Sequence, residues 1–265
     1  MKTIAIVTGA TSGVGREFVR QLDGTYYGKL DEIWAVARDA RELDAVASQT
    51  YAPTRPFALD LTDPAAVPAL AAALEAEDVR VLWLVNAAGM GRFEPFSATP
   101  AADLRAMVEL NCLALTDLTS AVLPHMAAGS RIVNLASVAA YMPFPSMGVY
   151  AATKRYVLDL TRALNAELSG CDIHACAVCP KAMRTSFWEE AGSEADLGFF
   201  FGTEKVFDVV RKAIAAVNAG HGAIVTSPEM KLVCGALKVL PYGVDELIYT
   251  VGARALRARQ HAARD

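Results

Sequence analysis

The chain has 265 residues, of which 54% are hydrophobic and 20% charged, and its net charge is −4. That is enough apolar material for one large α/β domain with its own core, and it excludes a disordered chain. Slight acidity without any Lys/Arg run argues against a nucleic-acid-binding role.

The first apolar run, 2–8, predicts a strand, not a secretion signal, since no small-residue cleavage site follows it. It leads into Thr8-Gly9-Ala10-Thr11-Ser12-Gly13-Val14-Gly15 and a helix predicted over 13–23. A strand, a glycine-rich turn and a helix in that order present free backbone N–H groups to a phosphate. Gly9, Thr11, Ser12, Gly13, Val14 and Gly15 are therefore candidate dinucleotide contacts, although the glycine spacing is not G-x-G-x-x-G. A polar loop with two tyrosines, Tyr26 and Tyr27, spans 23–31. The next strand, 32–37, ends at Arg38-Asp39. An acid at this strand end suits the ribose 2′-hydroxyl of NAD(H), and an arginine suits the 2′-phosphate of NADP(H). Arg38 favours NADP(H); NAD(H) stays open because Asp39 adjoins it and a surface arginine needs no ligand.

After a helix over 39–49 and a strand over 55–59 come Asp60 and Leu61, placed either to reach an adenine or, for Asp60, to cap a helix over 63–76. The strand 79–86 ends in Asn86-Ala87-Ala88-Gly89, whose small residues permit close approach of a ligand. One long helix is predicted over 100–127, with Asn111 inside it as a candidate anchor for a water linking Lys154 to solvent. A strand over 130–137 ends at Ser137. Tyr150 and Lys154 then fall on one face of a helix over 150–169. A neighbouring ammonium is expected to lower the phenol's pKa from its usual ~10, so that Tyr150 can exchange a proton with an alcohol or ketone held by Ser137. Singly, each of these residues has an ordinary structural explanation; jointly, behind a dinucleotide turn, they read as a catalytic group.

The remaining strands are expected at 172–179 and 222–226, with a helix at 203–218 between them. The strands are mostly apolar throughout, as over 79–85, which marks a parallel sheet covered on both faces. Aromatic residues crowd 186–207 (Phe187, Trp188, Phe199, Phe200, Phe201, Phe207), and Tyr141, Met142, Phe144 and Met147 precede Tyr150. Together they predict a pocket for a bulky hydrophobic small molecule, steroid-like or lipid-derived. The tail from Pro228 is amphipathic and basic near Arg254, Arg257 and Arg259. It is expected to pack on the body, join a subunit contact or touch a membrane surface, its apolar share favouring the first two.

Five cysteines, Cys112, Cys171, Cys176, Cys179 and Cys234, suggest no disulfide framework. Cys176 and Cys179 form a C-x-x-C in a strand, without the second pair or histidines that zinc needs, so no metal is expected. No apolar stretch approaches the ~20 residues of a membrane helix. The expected location is a reducing cytoplasm.

The glycine turn at 8–15, Asn86-Ala87-Ala88-Gly89, Asn111, Ser137, Tyr150 and Lys154 stand in the order and spacing of the short-chain dehydrogenase/reductase superfamily, which the chain resembles over nearly all of 1–226. The resemblance implies a Rossmann-type, doubly wound sheet of seven parallel strands with helices on both faces. It implies a Ser-Tyr-Lys-Asn catalytic group, with Lys154 also holding the nicotinamide ribose, and a homo-oligomer built partly on the helices at 100–127 and 150–169. It places Pro180, Met183 and Thr185 beside the nicotinamide. Lys181 stands where the family has glycine, which puts the local loop in question. The alternative to an enzyme is a non-catalytic sensor of nucleotide state with the same fold.

Overall fold

The computed structural model describes every residue except 27, 143–145, 184, 186, 188–201 and 240–265. Seven strands form one parallel sheet: β1 (Lys2–Thr8), β2 (Glu32–Ala37), β3 (Thr54–Ala58), β4 (Val79–Asn86), β5 (Arg131–Leu135), β6 (His174–Cys179) and β7 (Ala223–Val225). Their spatial order is β3-β2-β1-β4-β5-β6-β7. The order reverses between β1 and β4, so the crevice beyond their carboxyl ends is where such a sheet takes a ligand.

The helices are α1 (Gly13–Thr25), α2 (Ala40–Ala47), α3 (Ala66–Ala76), α4 (Ala101–Val108), α5 (Leu115–Val122), α6 (Gly148–Leu168), α7 (Val206–Asn218) and α8 (Pro228–Val239). One face of the sheet packs α1, α2 and α7 through Phe18, Leu22, Leu43, Val210 and Val217 around Trp83. The other packs α3, α5 and α6 through Leu70, Leu74, Leu118, Val122 and Leu164 around Trp34. Burial on both faces is why the strands carry nearly unbroken apolar runs.

The expected single helix over 100–127 is instead α4, a π-helical turn at Glu109–Ala114, α5 and a 3₁₀ turn at Leu123–His125. Taken together, Ala101–His125 is long and apolar enough to cross a membrane by length and composition alone, but Asp103, Arg105, Glu109 and Asp117 interrupt it, so no unbroken apolar run approaches that length. Part of its apolar surface is occupied within the protein: Met107, Leu115, Leu118 and Val122 are all buried. The strand expected over 130–137 stops at Leu135, and Ser137 caps a 3₁₀ turn at Val138–Tyr141.

In the expected 23–31 loop, Asp23 instead belongs to α1. It is buried and accepts hydrogen bonds from Tyr51 N and Ala52 N, tying the approach to β3 onto that helix. Tyr26 sets its ring edge-on to Trp83 at 5.2 Å. Tyr27 and the tail arginines 254, 257 and 259 lie outside the described residues.

Candidate active site

The glycine turn crosses the end of β1 and meets the turn after β4. Thr8 joins the two: its Oγ1 accepts hydrogen bonds from Ala87 N at 3.1 Å and Ala88 N at 3.0 Å. Gly9 has φ +64°, and a Cβ there would lie 3.0 Å from Ala88 N. Only glycine allows both the left-handed backbone and this approach. Opposite, Thr185 leans on the turn, its Cγ2 lying 3.1 Å from where a Cβ of Gly13 would be.

These turns open a cavity of about 630 Å³ along the carboxyl edge of the sheet. The structure brings Gly9, Thr11, Ser12, Gly13, Val14, Gly15, Arg38, Asp60, Leu61, Ala87, Ala88, Gly89, Ser137, Tyr150, Lys154, Pro180, Met183 and Thr185 onto its wall. Asn86 and Asn111 are not on it. Asn86 is buried, and its Nδ2 donates to Asn134 Oδ1 at 2.9 Å and Thr119 Oγ1 at 3.1 Å; Asn134 in turn donates to Thr161. It binds β4 to β5 and α5, because a buried amide must spend its donors on protein acceptors.

At the far end, Asp39 is exposed on the cavity wall. It is the N-cap of α2 and accepts from Arg41 N and Glu42 N. Arg38 is exposed beside it and faces Asp60, whose charge it stabilises. Asp60 does not cap α3. It accepts from Thr62 N at 2.9 Å and Thr62 Oγ1 at 2.7 Å, and those bonds, with Arg38 contributing less, hold its carboxyl below the usual range.

At the near end, the first turn of α6 carries Tyr150, and Lys154 follows one turn on. Tyr150 hydrogen-bonds to Ser137, whose Oγ also accepts from Ala139 N at 3.1 Å. Lys154 Nζ donates to Leu135 O at 2.8 Å and sits 5.7 Å from the centre of the Tyr150 ring. The expected lowering of the phenol's pKa does not occur within the protein alone. Burial pushes Tyr150 up to about 12, and the bond to Ser137 only partly opposes it. Burial likewise pulls Lys154 down to about 8. Desolvation penalises both charges, and the ammonium is turned toward the Leu135 carbonyl.

These shifts have a consequence for stability. Lys154 has a folded pKa near 8 against 10.5 for the free group, so the unfolded chain binds more protons between those values, and the burial cost present at neutral pH is relieved as pH rises through that window. Wild type should therefore gain stability relative to Lys154→Met between pH 7 and pH 10 in chemical denaturation. No gain, or a loss, of wild-type stability relative to the variant over that range would contradict the assigned burial of the ammonium.

Asn111 was expected to anchor a water near Lys154. The structure gives its side chain to protein: Nδ2 donates to Met90 O at 2.9 Å and Thr153 Oγ1 at 3.0 Å, and Oδ1 accepts from Met90 N. It lies in the π-helical turn, a local widening of the helix that often marks functional sites. Asn111 thus clamps the chain after β4 to α6.

The substrate end is largely apolar, although Arg92, paired with Asp103, also lies on the cavity wall. Met142, Met147 and Phe187 line it as expected. Tyr141 instead packs with Met142, Met230 and Cys234 beneath α8, and Phe207 is half exposed under Arg20. Phe144, Trp188, Phe199, Phe200 and Phe201 lie outside the described residues. Sequence reasoning missed Met90, Gly91 and Phe93. Phe93 packs edge-on to Tyr150 at 5.4 Å, and Phe187 approaches the same ring at 5.9 Å. Gly91 leaves the space between them: a Cβ there would lie 3.0 Å from Phe187 and 3.1 Å from Tyr150. Their position immediately after Gly89 was the available signal.

Lys181 does not strain the loop. Ser146 and Asp172 alone among described non-glycine residues have positive φ. Lys181 N donates to Glu204 Oε2, and its ammonium pairs with Glu229 on α8. That bond holds the Glu229 carboxyl down to about 2.

The short chain dehydrogenase family model matches residues 3–196. The chain belongs to the short-chain dehydrogenase family. It is an NAD(P)-dependent oxidoreductase. Among curated relatives it is 33% identical, over 196 residues, to sulfoacetaldehyde reductase 2 of Chromohalobacter salexigens, covering 71% of this chain and 75% of that one. A short-chain dehydrogenase from Sphingobium yanoikuyae in complex with NADPH superposes with a TM-score of 0.76 at 28% identity, over 92% of this chain and 98% of the other. A short-chain dehydrogenase/reductase from Burkholderia phymatum in complex with NAD gives a TM-score of 0.75 at 26% identity, over 88% and 92%.

Proposed function

We propose that this family member is an NADP(H)-dependent reductase of a bulky, hydrophobic ketone, steroid-like or lipid-derived, working also in reverse on the secondary alcohol. The observation that carries the catalytic part is the cluster of Ser137, Tyr150 and Lys154 on one wall of the cavity that the glycine turn opens. The cradle fits a dinucleotide: Gly9 and Gly13 both have positive φ, at 64° and 47°, and expose backbone N–H groups where a side chain would intrude. Residues 9–15 and 87–89 would hold the pyrophosphate and ribose, Arg38 the 2′-phosphate, Asp60 and Leu61 the adenine side, and Pro180, Met183 and Thr185 the nicotinamide side. When bound, the coenzyme supplies or accepts the hydride.

The chain's own residues handle the proton. Ser137 holds the substrate oxygen beside Tyr150. A phenol pushed up to about 12 is fully protonated at neutral pH, so Tyr150 is set to donate to a carbonyl oxygen gaining negative charge. Lys154 supplies a positive charge behind it and a donor to the coenzyme ribose. Asn111 contributes by fixing Met90 and Thr153, hence the spacing between the turn after β4 and α6. Met142, Met147, Phe93 and Phe187 support the hydrophobic substrate. A subunit interface on α4–α6 is supported by exposed Val108, Leu113 and Tyr156 along that surface, and the five free cysteines suit a reducing compartment.

The test is a ketone panel with NADPH and NADH, followed at the nicotinamide absorbance, for wild type and Arg38→Ala. Steroid-like ketones should turn over with NADPH, and Arg38→Ala should lose about tenfold or more of the NADPH kcat/KM with little change for NADH. Wild-type preference for NADH would refute the role of Arg38. Turnover confined to small anionic aldehydes, the class named for the Chromohalobacter relative, would refute the substrate class.

A further inference from the structure

We propose that Glu204 is a positioning residue that sets the nicotinamide half of the coenzyme site from outside the cavity. The proposal rests on the reading above, that the segment after β6 contacts the coenzyme.

The Glu204 side chain is only 8% exposed, a costly place for a carboxylate unless donors surround it. Donors do. Oε2 accepts from Lys181 N at 3.1 Å and from Thr226 Oγ1 at 2.7 Å. Oε1 lies 3.8 Å from Lys212 Nζ, which also donates to Thr226 O at 2.7 Å. The Glu204 backbone completes the clasp: its N–H donates to Ala182 O at 2.9 Å, and the residue pairs with Met183 as an isolated parallel bridge.

One residue therefore joins the loop after β6, the end of β7 and α7 at the point where the chain returns. The loop it grips carries Pro180, Met183 and Thr185 along the cavity wall, and Thr185 reaches across to Gly13. With lysine at position 181, the path of this loop is set by the N–H of Lys181 held on a buried carboxylate, while the lysine's ammonium is directed away to Glu229. Nothing else among the described contacts of Glu204 reaches the adenosine end. Its influence should fall on one half of the coenzyme.

That asymmetry is the test. Calorimetric titration of Glu204→Gln, which keeps the side-chain size, should show NADPH affinity reduced about tenfold, as expected when one charge-assisted hydrogen bond is weakened. Affinity for adenosine 2′,5′-bisphosphate, which fills only the adenosine half, should be unchanged. Thr226→Val removes one donor and should show the same split to a smaller degree; it carries the test alone if Glu204→Gln does not fold. NADPH affinity equal to wild type, or parallel loss of both ligands, would overturn the proposal. Wild type binding neither ligand would overturn the functional reading itself, an outcome distinct from a failure at Glu204.

Discussion

Tyr150→Phe should lower turnover by about 10²–10⁴-fold, the usual contribution of a positioned proton donor, while leaving NADPH affinity nearly unchanged. The substitution deletes one oxygen and keeps the ring that packs against Phe93 at 5.4 Å and Phe187 at 5.9 Å, so the cavity wall should survive. Lys154 keeps its bond to Leu135 O, and Ser137 keeps its bond from Ala139 N. What is lost is the acid. Steady-state rates with the best ketone from the panel, paired with NADPH titration by fluorescence, check both halves. Undiminished turnover would remove Tyr150 from the mechanism as its acid. Loss of NADPH binding in step with turnover would show instead that the variant damages the site.

Gly15→Ala is expected to be the most disruptive single-methyl change in the coenzyme cradle. An added Cβ would lie 2.1 Å from Gly9 O and 2.6 Å from Gly9 C, both backbone atoms of the turn. No rotamer relieves this, so either α1 must shift away from the sheet or the turn must open. Overpacking of this kind costs about 1–3 kcal/mol or more. For a domain of this size each kcal/mol moves Tm by about 2–4 °C, so a fall of several degrees is expected, together with weak NADPH binding because the phosphate donors are displaced. Gly24→Ala is the control on the same helix. A Cβ there meets nothing within 4 Å, and replacing a helical glycine by alanine should stabilise by about 0.5–1 kcal/mol. Paired thermal melts decide it: similar Tm values for the two variants would show that the glycine turn is not packed on α1 as described.

The sheet was legible because burial on both faces forces apolar strands, and apolar strands separated by helical patterns admit few other arrangements. The glycine turn, Arg38 and the Tyr150–Lys154 pair were legible for a related reason. Backbone freedom, charge type and i,i+4 spacing are local properties, written in adjacent residues. Asp39 shows the limit even of local information. Its position beside Arg38 pointed to a ribose, and only the structure shows its Oδ1 accepting from Arg41 N and Glu42 N as a helix cap.

Other features depended on distant partners. The break in the helix predicted over 100–127 accompanies the bonds Asn111 makes to Met90 and Thr153, neither of them on that helix. The pKa of Tyr150 turned on burial rather than on the nearness of Lys154 in the sequence. Asn86 left the cavity for a partner 48 residues away. Lys181, a local violation of the family's glycine, is accommodated by Glu204 and Glu229 from two other elements. The sequence by itself therefore determined the parallel α/β sheet, the phosphate-cradling turn and the chemical types in the catalytic group. The tertiary structure decided protonation, the division of polar residues between cavity and core, and the anchoring of the loop after β6, because desolvation and buried hydrogen bonding depend on which remote groups fill the space around each side chain.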